Sequence, residues 1–167
     1  MKERDTQRAR LYRAESAAFE KLASSLPTVS DVERYLQTQS RRPTLRSRYG
    51  NAVDVSSWKL QVADGRGCRN ALAFGSYKIA IPLWARQDWV VLHEWAHIVH
   101  DRTSSRAFSE SRTLQYGSRT LELRGGAAHG WQYAAIYLDL VHFCMGAEAA
   151  DALKASFKNH NVRFRPK

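Results

Sequence analysis

Cysteine is nearly absent from this chain: the two present, Cys68 and Cys144, lie far apart and show no C-x-x-C spacing. That excludes a disulfide framework and a cysteine zinc site, and predicts two free thiols. Long apolar runs are missing as well. None approaches the roughly 18 residues that cross a bilayer, and the opening MKERDTQRARLYRAE is charged where a secretory signal needs an apolar core. The expectation is a cytoplasmic protein without membrane contact. Acids are in deficit: 26 Lys and Arg against 16 Asp and Glu give a net charge of +10. A polyanion such as DNA is therefore a candidate partner, although a basic surface is also simply a well-solvated one. Internal repeats and low-complexity tracts are lacking.

The 167 residues are enough for one domain, expected over 1–167, burying roughly 70% of its unfolded surface. Leu11, Ala14, Ala18, Phe19 and Leu22 recur at helical spacing and predict a first amphipathic helix within 5–25. Pro27 ends it. TVSDVERYLQTQ predicts a second helix, with Ser30 and Glu33 at the separation of a capping box. These two N-terminal helices occupy 1–40. SRRPTLRSRYGN breaks helical periodicity at Pro43 and Gly50. Strand signals follow: Trp58, Leu60 and Val62 alternate with polar neighbours, DGRG at 64–67 reads as a turn, and ALAFGSYKIAIP gives two short strands around Gly75 and Ser76. A small antiparallel sheet is expected. Beyond residue 100 a polar connection leads to HGWQYAAIYLDLVHFCMG, again helical, then to a shorter helix and a basic tail at 158–167. Helices, sheet, buried helix, connection and buried helix, in that order, predict an α+β fold.

The densest information lies in DWVVLHEWAHIVHDR, 88–102. Apolar residues cover the whole circumference of this helix, so it is expected to be buried on every side. Yet it carries His93, Glu94 and His97. Four residues apart on a helix, the two imidazoles stand about 6 Å apart along the axis and about 40° apart in azimuth. Both can reach one zinc ion, while Glu94, one position further round, reaches the water on that ion. A shuffled chain of this composition would contain this HExxH spacing with an expected count of only about 0.01. Buried without a metal, each polar group would need its own partner or cost roughly 1–3 kcal/mol.

A catalytic zinc needs a third protein ligand and an open position. The HExxHxxGxxH pattern fails, with His100 at the glycine and Thr103 at the last histidine; Glu110, Glu122 and Glu148 all lack an Asp four residues on. His100 lies about 10 Å along the helix from His93, too far for one ion, and is expected on the solvent side or behind the ligands. His142, beside Val141 and Phe143, is expected in the core or lining a groove. That leaves His129, introduced by RGGAA and opening the next apolar helix.

HEWAH followed by HGWQY resembles the SprT-like branch of zincin metallopeptidases at His93, Glu94, His97, His129, Gly130 and Tyr133, over about 55–145. That branch more often carries Phe or Trp at the place of Tyr133. The flanking Val90, Val91, Trp95, Ala96, Ile98 and Val99 are similar to the wider zincin signature. RDTQRARLYRAE and the overall length resemble a small family of HExxH metallohydrolases of actinobacteria and their phages. The resemblance implies a zincin-like fold, a single Zn2+ ion, and cleavage of a protein or peptide by water activated by Glu94. Because SprT-like relatives include proteases of DNA-bound proteins, it also implies a DNA-associated protease.

Tyr133, Tyr116 and Arg124 are open candidates for stabilising the tetrahedral intermediate. Arg41, Arg42, Arg46 and Arg48, with Lys158, Arg163 and Arg165, are candidates for phosphate contacts. Two alternatives stand beside the peptidase: a basic DNA-binding module with a non-catalytic metal, and an ImmA-type regulatory protease, which shares a His at the place of His100.

Overall fold

In the computed structural model, residues 7–107, 113–116, 119–122 and 128–165 are described, with the backbone alone for 105–107, 113–116 and 119–122. Helix α1 spans Arg8–Phe19, α2 Val29–Ser40 and α3 Pro43–Tyr49. Strands β1 (Gln61–Asp64), β2 (Leu72–Phe74) and β3 (Lys78–Ile81) follow, then α4 (Asp88–Ala107), the hairpin β4 (Thr113–Tyr116) and β5 (Arg119–Glu122), α5 (Trp131–Met145) and α6 (Ala147–Asn159). The fold is α+β. Among the described residues no helix is long and apolar enough to cross a membrane.

Local chemistry explains several boundaries and corrects some expectations. Helix α1 stops at Phe19 because the chain beyond it bonds to the start of α4: Ser24 N–H donates to Asp88 Oδ1 (3.1 Å) and Leu26 N–H to the Arg86 carbonyl (2.8 Å). The capping box of α2 is Thr28 with Asp31, two residues earlier than Ser30 with Glu33, each side chain accepting from the other's N–H. SRRPTLRSRYGN forms α3 after all. Pro43 opens that helix, where its missing N–H costs nothing, and Gly50 closes it at φ +56°.

The sheet is mixed, not antiparallel. Its order is β1-β3-β2, with β1 parallel to β3 (Gln61 opposite Lys78) and β2 antiparallel to it (Leu72 opposite Ala80). Strands β1 and β2 therefore lie about 9.5 Å apart, two strand spacings. The 65–71 loop spans that gap, and β3 fills it. Gly65 is required at the crossing, since a Cβ there would meet Pro82 N at 2.6 Å. Trp58 stands outside β1, its ring under the Arg102 guanidinium at 4.8 Å.

One apolar core joins these elements: Leu11 and Phe19 of α1, Leu36 of α2, Ile79 and Ile81 of β3, most of α4, and Tyr137, Leu153 and Phe157 of the last helices. Helix α4 runs through its centre as its composition predicted, with Leu92, Trp95, Ile98 and Val99 fully buried. Burial of each such side chain contributes roughly 1.5–3 kcal/mol. Arg102 is also buried near the end of that helix and donates to the carbonyls of Ala52, Asp54 and Ser76. It thereby ties α4 to the β2–β3 turn. The basic tail packs: Val162 and Phe164 are buried, and Gln7 exchanges two hydrogen bonds with the Arg163 backbone.

Candidate metal centre

His93 and His97 project from adjacent turns of α4, and their Nε2 atoms are 3.3 Å apart. That equals the edge of a tetrahedron around zinc, about 3.3 Å for bonds of 2.0–2.1 Å. His129, in the turn just before α5, completes the group; one ligand atom from each of the three histidines lies within 4.8 Å of the others. The imidazole centroid of His129 is 4.7 Å from that of His97 and 5.5 Å from that of His93. The residue named from the sequence as third ligand therefore belongs to the cluster.

Helix α5 brings His129 in. Gly130 caps α5, and Tyr133, one turn on, stacks on the His97 ring at 4.3 Å while its hydroxyl donates to the His93 carbonyl at 3.1 Å. Tyr137 repeats the contact one turn further, donating to the Trp89 carbonyl at 3.2 Å. Two tyrosines thus dock α5 along α4 and set the depth at which His129 arrives.

The donor set suits a cation. Burial, and then the neighbouring His93 and His129, hold the His97 imidazole well below its ordinary pKa. It stays neutral at pH 7 with a lone pair free, as a metal ligand requires. His93 differs. Its burial disfavours the charge, but Glu15 of α1 outweighs this and raises its pKa: the Nδ1–H donates to Glu15 Oε1 at 2.6 Å. A carboxylate on the far nitrogen fixes the tautomer and aims Nε2 at the cluster, the arrangement that orients metal-bound histidines in general. Glu15 is 2% exposed, and burial raises its own pKa.

Glu94 does not join the three ligands. Its carboxylate is buried, which raises its pKa above the ordinary range, and it accepts from the Ala73 N–H of β2. With His93 it lines a cleft of about 190 Å³ that also touches Tyr12, Trp84 and Trp89.

Other residues named from the sequence fall as follows. Tyr133 is fully buried with its hydroxyl engaged, so it does not face the cleft. Arg124 lies outside the described residues, and of Tyr116 only the backbone, in β4, is described. Tyr12, missed from the sequence, stands 5.4 Å from the His93 ring and 5.5 Å from that of His129, with the Arg8 guanidinium over its face. It is 40% exposed. His100 is buried rather than solvent-facing, its Nε2 without a hydrogen-bond partner among the described residues, and burial pushes its pKa down to about 4. His142 is exposed instead of lining the core.

The basic candidates divide. Arg46 pairs with Asp54 at 2.9 Å and Arg48 with Asp139 at 2.5 Å, so two of the four arginines near α3 are neutralised. Arg41, Arg42, Lys158, Arg163 and Arg165 are exposed.

No family model, curated protein or solved structure matches the chain.

Proposed function

We propose that the protein is a zinc-dependent metallohydrolase, a peptidase of the SprT-like kind, which cleaves amide bonds with Glu94 as general base. The observation that carries this reading is a cluster of three histidines, with no fourth ligand among the described residues, whose Glu94 side opens on a cleft. Structural zinc sites are closed by four protein ligands, whereas catalytic ones keep a position free. Zinc held by His93, His97 and His129 would bring the pKa of water toward 7 and polarise a carbonyl. Glu94, its pKa raised by burial, is suited to take the proton of the attacking water and hand it to the leaving amine. Tyr12, with its ring at the cluster and partly exposed, is the tyrosine placed to offer a hydroxyl to the substrate. A histidine as third ligand supports the SprT-like reading over the ImmA-type one. The net charge of +10 keeps DNA association open as an accompaniment to catalysis, while the pairing of Arg46 and Arg48 weakens the reading as a DNA-binding module.

The test is metal analysis joined to peptide hydrolysis. Purified wild type is expected to carry one zinc and His129→Ala to lose it. Glu94→Gln is expected to keep zinc and fold while hydrolysis of a quenched-fluorescence peptide library falls by about 10²-fold or more. Tyr12→Phe should cost a smaller factor, about tenfold. A fully active Glu94→Gln protein, or zinc retained in His129→Ala, would overturn the reading.

A further inference from the structure

We infer that the cleft beside His93 and Glu94 is a specificity pocket for one large apolar or aromatic side chain adjacent to the bond being cut. This rests on the metallopeptidase reading and names the substrate class of that site. Four segments build the pocket: α1 contributes Tyr12, the approach to β2 contributes Ala71, the turn at Leu83–Ala85 contributes Trp84, and α4 contributes Trp89 and Val90. Since His93 and Glu94 form one side of it, a substrate residue whose side chain is seated there keeps its backbone beside the reacting groups.

Size and surface chemistry both select the occupant. At about 190 Å³ the space exceeds the apolar cavity of about 150 Å³ that admits benzene, so a leucine or phenylalanine side chain fits and an alanine leaves most of it empty. The wall is rigid where it meets the helix. Trp89 stacks on Phe19 at 5.5 Å, and its indole N–H donates to Gln87 Oε1 at 2.7 Å. On the outer side the opposite holds: Trp84 is 59% exposed, and its neighbour in the chain, Leu83, is 72% exposed. Large apolar groups left in water at the rim of a cleft are a surface that a ligand covers. Among the described residues no lysine or arginine lines the pocket, whereas Glu15 and Glu94 do, so an acidic side chain is disfavoured. Both carboxylates in its wall are engaged, Glu15 by His93 and Glu94 by the Ala73 N–H.

Amino-acid hydroxamates test this without needing turnover, because the hydroxamate seeks the metal while the side chain samples the pocket. Calorimetric titration of the zinc-loaded full chain is expected to show phenylalanine and leucine hydroxamates binding about 10- to 100-fold tighter than alanine hydroxamate. Trp84→Ala, at an exposed position that the fold does not need, and Ala71→Phe, which fills the space, should each bring the phenylalanine-to-alanine ratio toward one. Equal affinities in wild type, or tightest binding of the lysine or glutamate hydroxamate, would overturn the pocket while leaving the metal site standing. A ratio unchanged in both variants would also overturn it. Failure to retain zinc or to bind any hydroxamate would overturn the metallopeptidase reading, and the pocket with it.

Discussion

Glu15 lies four residues after Leu11 and four before Phe19, on the stripe of α1 that faces the core, and both neighbours are buried. A carboxylate at such a position is costly unless something meets it, and here it meets His93 Nδ1. Glu15→Gln keeps the shape and can still accept the hydrogen bond but removes the charge that raises the basicity of His93. Zinc affinity, read by competition with a chelating dye, is expected to fall by about 10- to 100-fold with little change in fold. His100 acts on stability instead. Its imidazole is pushed to about 4 in the folded chain, against about 6.5 when unfolded. Between these values the unfolded state binds the extra proton, so stability is full above about pH 6.5 and is lost as pH falls toward about 4, by about 3 kcal/mol. Urea melts of wild type and His100→Leu across that window should differ in slope, with the variant the flatter of the two.

Among elements, α4 and the β1–β3 crossing show how much a boundary depends on its neighbours. The apolar circumference of α4 announced a central helix, and its HExxH spacing put His93, Glu94 and His97 on adjoining positions of it. That inference needed only 3.6 residues per turn. The sheet was less legible because alternation marks a strand without naming its partner. The 65–71 loop lets β3 enter between β1 and β2, which makes one pairing parallel. Gly65→Ala tests the crossing: its Cβ would press on the Ile81 and Pro82 backbone and the Pro82 ring at 2.6–2.9 Å, none of which can swing aside. A loss of about 1–3 kcal/mol in unfolding free energy is expected. The helix α3 was hidden for another reason. Proline and glycine were weighed as breakers, yet each sits at the end of the helix where its backbone fits.

For the whole molecule, the proposed metal binding would be linked to folding, since the three histidines come together only when α4 and the start of α5 are packed. With free zinc a hundredfold above its Kd, a bound ion would contribute about 2.7 kcal/mol. Stripping it with a chelator is expected to lower the Tm by roughly 5–10 °C in differential scanning fluorimetry, and restoring zinc should reverse the shift. His129→Ala should melt at the same temperature with and without zinc.

The sequence alone determined what helical geometry fixes over a single turn: that His93 and His97 share a face, that Glu94 stands beside them, and that their helix is buried. It also left His129 as the candidate for a third place beside them, and the structure brings that residue into the cluster. Only the tertiary structure decided that Glu15 orients His93, that Tyr133 braces the cluster instead of facing the cleft, and that Tyr12 and Trp84 border the space next to Glu94. The physical reason is range. Spacing along one helix is set by bonded geometry, whereas the meeting of α1, the approach to β2, and α5 around α4 depends on how their apolar faces pack, which no local pattern specifies.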